Sequence, residues 1–208
     1  MRRDLERAVD RARRELAAEG YPLAAFDALS NAQRELAKAR GEQWAEPLDL
    51  DVMWDSGAPL PHVVSNGLSA VLICFAVVDD AKGDGTRVEV ADPGDPTPVD
   101  LLEFTFEGCR AIRFGGPNDE ALNGHPLFER GLAGYGPHIV GNSAWIAEQE
   151  AINSVHPHHR GGWHELLSHY FFAFHDEVFE AVAKSVAVKS VRSTMRERVV
   201  NAANQIVA

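Results

Sequence analysis

Eight of the nine histidines fall between His125 and His175. Imidazole is the side chain that binds a transition metal or moves a proton near neutral pH, so this concentration points to both chemistries. The first group is His156, His158 and His159, followed by His164, with Glu148 and Glu150 upstream. In a turn or an extended segment His156 and His158 point the same way, and His156 and His159 are the candidate ligands of a divalent transition metal. The spacing is not that of the His-Glu-x-x-His zinc helix. A solvated polar loop accounts for the same residues without a metal. The second group is His169, His175, Asp176 and Glu180. On one strand His169 and His175 share a face about 20 Å apart, too far to hold one ion between them.

Between residues 115 and 136 glycine and proline are dense, and Asp119, Glu120 and His125 lie among them. These three could bind a cation or act as acid and base, whereas turns and side chain-to-backbone hydrogen bonds explain the same run as a structural loop. The candidate acid–base set is therefore His125, His175, Asp176 and Glu180. The phosphate-binding glycine loops and the Gly-x-Ser-x-Gly turn are absent, and neither cysteine is near a histidine in sequence. Nothing in the motifs supports a nucleophilic hydrolase.

The surroundings of these residues are acidic. The chain of 208 residues carries a net charge of -11, and the segment 43–180 holds twenty-two acidic against six basic side chains. Such a field repels polyanions and attracts metal ions, amines and basic surfaces, so nucleic acid is not an expected partner. With 45% hydrophobic and 25% charged residues the composition is that of a globular protein with a packed core. Cys74 and Cys109 lie in apolar runs and read as buried free thiols, a disulfide being the alternative. The N-terminal residues alternate in charge without the apolar stretch of a secretory signal, and no run is long enough to cross a membrane. The expectation is a cytoplasmic protein.

Elements must bring the candidates together. Leu5, Ala8, Val9, Ala12 and Leu16 recur at helical spacing, and a glycine, Gly20, stops that helix. A second helix over 23–40, with Phe26, Leu29 and Leu36 on one side, completes a hairpin over residues 1–42, which is also the candidate surface for a homodimer. Residues 43–208 form the second unit. Prolines and glycines make 44–67 loop-rich, and 68–78 with 86–90 predict a strand hairpin. Strands follow over 99–106 and 109–114, with Gly108 at a turn or bulge, and then an irregular loop over 115–141. Asn142 or Ser143 caps a helix to about 153. Residues 169–176 alternate, with Tyr170, Phe172 and Phe174 on one face and His169, Phe171, Ala173 and His175 on the other. Residues 178–191 read as the hairpin partner, a helix over 177–187 being the alternative. Ser193 or Thr194 caps a last helix with Val199, Val200, Ala203 and Val207 as its stripe. Trp54, Trp145 and Trp163 flank the polar loops, as pocket walls or as core. The sum is an α+β fold, an antiparallel sheet with helices segregated to the N- and C-terminal ends.

The order of motifs carries a resemblance. Trp54-Asp55-x-Gly57-Ala58-Pro59-Leu60-Pro61 is followed by Pro117-Asn118-Asp119-Glu120, Gly124-His125-Pro126-Leu127, Arg130-Gly131-Leu132, Trp145 with Glu148, Asn153-Ser154-Val155-His156-Pro157-x-His159, and His169-Tyr170 through Asp176 to Phe179-Glu180. The series resembles a group of uncharacterised bacterial proteins without an assigned reaction, over roughly residues 54–184. The resemblance implies that the polar loops form one site or surface, and it transfers no catalytic residue, cofactor or substrate.

Two functions follow as expectations. One is a His/Asp/Glu-lined ligand or metal pocket, in an enzyme acting on a small molecule. The other is a non-catalytic interaction protein of immunity type that binds a basic partner through the acidic middle. Elemental analysis of protein purified without a histidine tag separates them. Stoichiometric zinc, iron or manganese is expected of the first, and salt-sensitive capture of a basic partner by metal-free protein of the second.

Overall fold

The computed structural model describes residues 2–18, 23–77 and 92–207. Two helices come first, α1 (Arg2–Ala18) and α2 (Leu23–Arg40). Strands β1 (Trp44–Pro47), β2 (His62–Ser65), β3 (Ser69–Phe75), β4 (Val99–Glu107) and β5 (Ala111–Gly115) follow, then 3₁₀ turns over Asp119–Gly124 and Phe128–Arg130. Strand β6 (Pro137–Gly141) leads into α3 (Ala144–Asn153) and the short α4 (Trp163–Leu166). Strands β7 (Ser168–Ala173), β8 (Val178–Ala183) and β9 (Ser185–Ser193) precede the last helix, α5 (Met195–Val207). The α+β class read from the sequence is the one observed. Among the described residues no helix is long and apolar enough to cross a membrane.

The strands make two antiparallel sheets, ordered β1-β6-β7-β8-β5 and β2-β3-β4-β9. They face each other across an aromatic core. Tyr170 and Phe172 of β7, Phe179 of β8, and Phe104 and Phe106 of β4 point inward, joined by Trp54 and Phe174. Trp54 stacks on Phe172 at 5.7 Å, and Phe172 meets Phe104 and Phe106 edge-on at 5.1 and 5.5 Å. Offset and edge-to-face contacts place the positive ring edge on the negative face, adding about 0.5–1.5 kcal/mol per pair to the burial itself.

Both outer faces are covered as well. Helix α5 lies on the second sheet, with Met195 and Ala202 against Val71, Ile73 and Leu101. Thr194 caps it, its Oγ1 accepting from the amide of Glu197 at 3.1 Å. The predicted stripe is rotated, since Val200 and Val207 are 53% and 81% exposed while Met195 and Ala202 are buried. On that same face the carboxylate of Glu103, 1% exposed, is held by Arg198 and by Lys189 at 2.8 Å. Lys189 is its direct cross-strand partner. The first sheet is covered by α3 and α4, through Trp145, Ile146 and Leu167, and by Leu122, Leu127 and Leu132 of the irregular region. The hairpin of α1 and α2 joins that layer through ion pairs Arg13–Glu129 (2.5 Å) and Arg130–Glu42 (3.2 Å). Phe26, expected on its packed side, is 44% exposed.

Several local expectations change. The loop-rich segment 44–67 contains β1 and β2, and the irregular segment 115–141 ends in β6. The segments 99–106 and 109–114 do not pair with each other, because the chain crosses from one sheet to the other at Gly108 (φ +58°). Residues 178–191 are strand, but in two pieces in different sheets, broken at Lys184. Strand β7 ends at Ala173, so His175 and Asp176 sit in a turn and not on a strand face with His169. The strand expected over 86–90 and the glycine stop at Gly20 lie outside the described residues. Cys74 and Cys109 are free and buried.

Phe172 touches both sheets and Trp54, so its loss leaves a cavity that rigid β-structure cannot close. Phe172→Ala is expected to cost about 3–5 kcal/mol. Urea unfolding checks this through a lowered midpoint at unchanged slope.

Candidate functional site

Period-two alternation sends Tyr170, Phe172 and Phe179 inward, and so sends His169, Phe171, Glu180 and Val182 to the outer face of the first sheet. Register then decides which of these meet. Phe171 and Arg113 flank Glu180 as its direct partners on β7 and β5, and His169 is opposite Val182, one step diagonal to Glu180. The connection from β6 to α3 supplies the cover. A Cβ at Gly141 would lie 2.2 Å from the Trp44 indole, so a side chain there would displace that ring from its seat over the strand end. Asn142 takes a left-handed conformation (φ 47°), which asparagine tolerates better than most residues. Ser143 caps α3, its Oγ accepting from the amide of Ile146 at 3.2 Å.

These placements make a buried hydrogen-bonded line. Ser143 Oγ is 2.8 Å from Nδ1 of His169, and Nε2 of His169 is 2.8 Å from Oε2 of Glu180. The carboxylate can only accept, so the imidazole donates its Nε2–H to Glu180, and its Nδ1 shares a hydrogen bond with the serine hydroxyl, which also accepts from Ile146. The other carboxylate oxygen, Oε1, faces Arg113 at 3.8 Å. Burial raises the Glu180 pKa, but the hydrogen bond and charge of His169, with Arg113 and His125, outweigh it and leave the carboxyl below its ordinary 4.5.

Beside this line opens a pocket of about 380 Å³ whose walls include Arg113, His125, Trp145, Glu148, His169 and Glu180. The Arg113 guanidinium lies 4.1 Å over the Trp145 ring and 3.8 Å from Oε2 of Glu148. His125 is half-buried, its Nδ1 accepting from the amide of Leu127 at 3.2 Å. That bond places its proton on Nε2. Burial lowers its pKa, the nearby His169 and Arg113 add to the effect, and Glu180 opposes it without reversing it. The ring is a neutral donor at pH 7.

Of the sequence candidates, the pocket brings His125 and Glu180 together. His175 and Asp176 form a separate exposed group in the β7–β8 turn. There His175 Nδ1 is 3.1 Å from Asp176 and its Nε2 is 4.0 Å from Asp119, which also accepts from the Tyr135 hydroxyl. The hydrogen bond to Asp176 raises the pKa of His175. His156 and His159 lie beyond the end of α3. Nδ1 of His156 accepts from the amide of His158 at 3.2 Å, and His159 is 3.8 Å from Glu150, whose other oxygen accepts from the Trp163 amide. Among the described residues no group of three or more His, Cys, Asp or Glu side chains is gathered as a ligand set. His138 belongs to the fold. Its Nε2 accepts from Ala133 and its Nδ1 donates to Gly136, and burial lowers its pKa to about 4.

Sequence reasoning did not nominate Arg113 or Ser143 for the site. It grouped His169 with Glu180 without giving it a role, and Trp145 it left between core and pocket wall. The signal for His169 was present in the alternation of 169–174. For Arg113 and Ser143 none existed, because each reaches the site through pairing or capping that only the folded chain shows. Compared with family models, with curated proteins and with solved structures, the chain matches none of them.

The pair His169–Glu180 carries a pH signature. Because the folded pKa of Glu180 lies below 4.5, its stabilisation is complete above about that pH and is lost as pH falls through the lower folded value. Glu180→Gln keeps an acceptor for His169 but no charge, and is expected to cost about 1.5–3 kcal/mol at neutral pH. Urea titrations of both proteins between pH 7 and 3 should show that gap narrowing only below about pH 4.5.

Proposed function

We propose that the protein binds a small molecule in this pocket and performs proton transfer on it, with Glu180 as base and His125 as the neutral donor. The observation that carries this reading is the state of two groups facing one space. A buried carboxylate is kept ionised by His169 and Arg113, and an imidazole is kept neutral by burial. Both pKa values are held below their ordinary positions, so the carboxylate faces the pocket as an acceptor and the neutral ring as a donor. In the proposed step Oε1 of Glu180 takes a proton from the bound molecule, and the electron pair left behind is delocalised onto a substrate oxygen or nitrogen. The Nε2–H of His125 hydrogen-bonds to that atom. Oε2 stays on His169, which holds the carboxylate in place. The pocket volume suits a small organic molecule, and the buried floor of His169 and Glu180 holds the base in a low-dielectric setting.

Hydrogen–deuterium exchange tests this with no substrate yet identified. Pools of small amines, amides and carbonyl compounds are incubated with the protein in D₂O, and loss of carbon-bound proton signals is followed by NMR. The wild type is expected to exchange at least one compound, with Glu180→Gln slower by about a hundredfold or more and His175→Ala unchanged. Exchange at full rate in Glu180→Gln, or none by the wild type across the pools, would overturn the proposal.

A further inference from the structure

We infer that the molecule this pocket accepts is a small organic cation, an amine or a guanidine, and that Arg113 stands in its place when the pocket is empty. The inference rests on the pocket being a ligand site, and not on the proton-transfer step. The guanidinium of Arg113 lies 4.1 Å over the Trp145 ring, with Glu148 on one side and Glu180 on the other, each at 3.8 Å. An aromatic face bordered by carboxylates is the chemistry that recognises an ammonium or guanidinium group. The protein has placed one of its own cations there, and has placed it loosely. Charge-assisted hydrogen bonds are about 2.7–2.9 Å long, so neither ion contact is one. The side chain remains 51% exposed. Among the described residues strand β5 is the edge of its sheet, paired with β8 alone. The Arg113 side chain can therefore swing outward into solvent without disturbing a neighbouring strand.

The sign of the field supports a cation over an anion. Two carboxylates, Glu148 and Glu180, border the pocket beside the Arg113 guanidinium and the imidazoles of His125 and His169, and the segment 43–180 to which all of them belong holds twenty-two acidic against six basic side chains. An anion drawn to Arg113 would meet both carboxylates. A cation displacing Arg113 inherits the Trp145 face and both carboxylates, with the competing guanidinium swung out. Seated with its charge against Trp145 and Glu148, such a molecule turns its adjoining atoms toward Glu180 and His125.

Isothermal titration at low ionic strength with agmatine, butylamine, butanol, butyrate and inorganic phosphate tests the assignment. The two cations are expected to bind wild type, and butanol, butyrate and phosphate to bind at least tenfold more weakly. Arg113→Ala removes the internal competitor, so the cations should bind it roughly five- to tenfold more tightly. Arg113→Gln, which keeps bulk over Trp145, should show the same sign. Glu148→Gln and Trp145→Leu should each weaken the cations, and circular dichroism confirms that every variant is folded. Loss of binding in both Arg113 variants, preference for butyrate or phosphate, or no cation binding by wild type and Arg113→Ala would overturn the inference. Cation binding without hydrogen exchange removes the proton-transfer proposal alone, and exchange confined to neutral or anionic compounds removes the cation alone.

Discussion

Strands β7 and β8 are covered on both faces, and a strand buried on both sides has no solvent in which to leave a polar group. The inner side chains satisfy this by being aromatic or small: Tyr170, Phe172, Phe179, Ala181 and Ala183. The outer face includes His169 and Glu180, and these must find partners inside the protein. The constraint is severe, since an unpaired buried carboxylate costs several kcal/mol. It is met by a chain of contacts through Ser143, His169, Glu180 and Arg113. The same contacts fix the rotamer and tautomer of each member, which makes the pocket floor rigid.

The other buried carboxylate shows what a purely structural solution looks like. Glu103 is gripped by Arg198 and Lys189 and its carboxylate is 1% exposed. Both charges come from elements already packed there, α5 and the neighbouring strand, and they tie the helix to the sheet. At Glu180 the corresponding positive charge is distant and half-exposed, and one carboxylate oxygen is left facing the cleft. The contrast between these two carboxylates is what sets the proposed site apart from a stabilising network.

The histidines divide along the same line. His138 is neutral and enclosed by backbone partners, and His169 is locked between a hydroxyl and a carboxylate. His156 and His158 stand in the exposed turn after α3, with ring centres 5.7 Å apart, and His175 pairs with acidic neighbours in another turn. Only His125 presents an imidazole to the pocket from outside the sheet, because the 3₁₀ turn of Asp119–Gly124 ends directly before it. Clustering in sequence was therefore a poor guide to clustering in space. The run from His156 to His164 lies along a surface, while His125 comes from before β6 to meet His169 and Glu180 of the β7–β8 hairpin.

Local patterns were legible wherever the physics is local. Helical spacing gave α1 and α2, alternation gave β7 with its aromatic face, and capping gave the starts of α3 and α5, where the structure selects Ser143 over Asn142 and Thr194 over Ser193. The acidic middle, visible in composition, foreshadowed the charge of the pocket. What the residues could not disclose alone was register and sheet membership. The turn of Phe174 to Glu177 sets which residues of β7 and β8 face each other, and a slip of one residue would send Glu180 to the aromatic core. The crossings at Gly108 and Lys184 decide that β4 and β5, or β8 and β9, belong to different sheets. From sequence by itself came the α+β class, the helices α1, α2, α3 and α5, the strand character of β3, β4, β5, β7 and β8, and two of the pocket's members, His125 and Glu180. Tertiary structure alone selected Arg113, Ser143, His169 and Trp145 to surround them, because pairing and layer packing depend on distant segments competing for the same buried face.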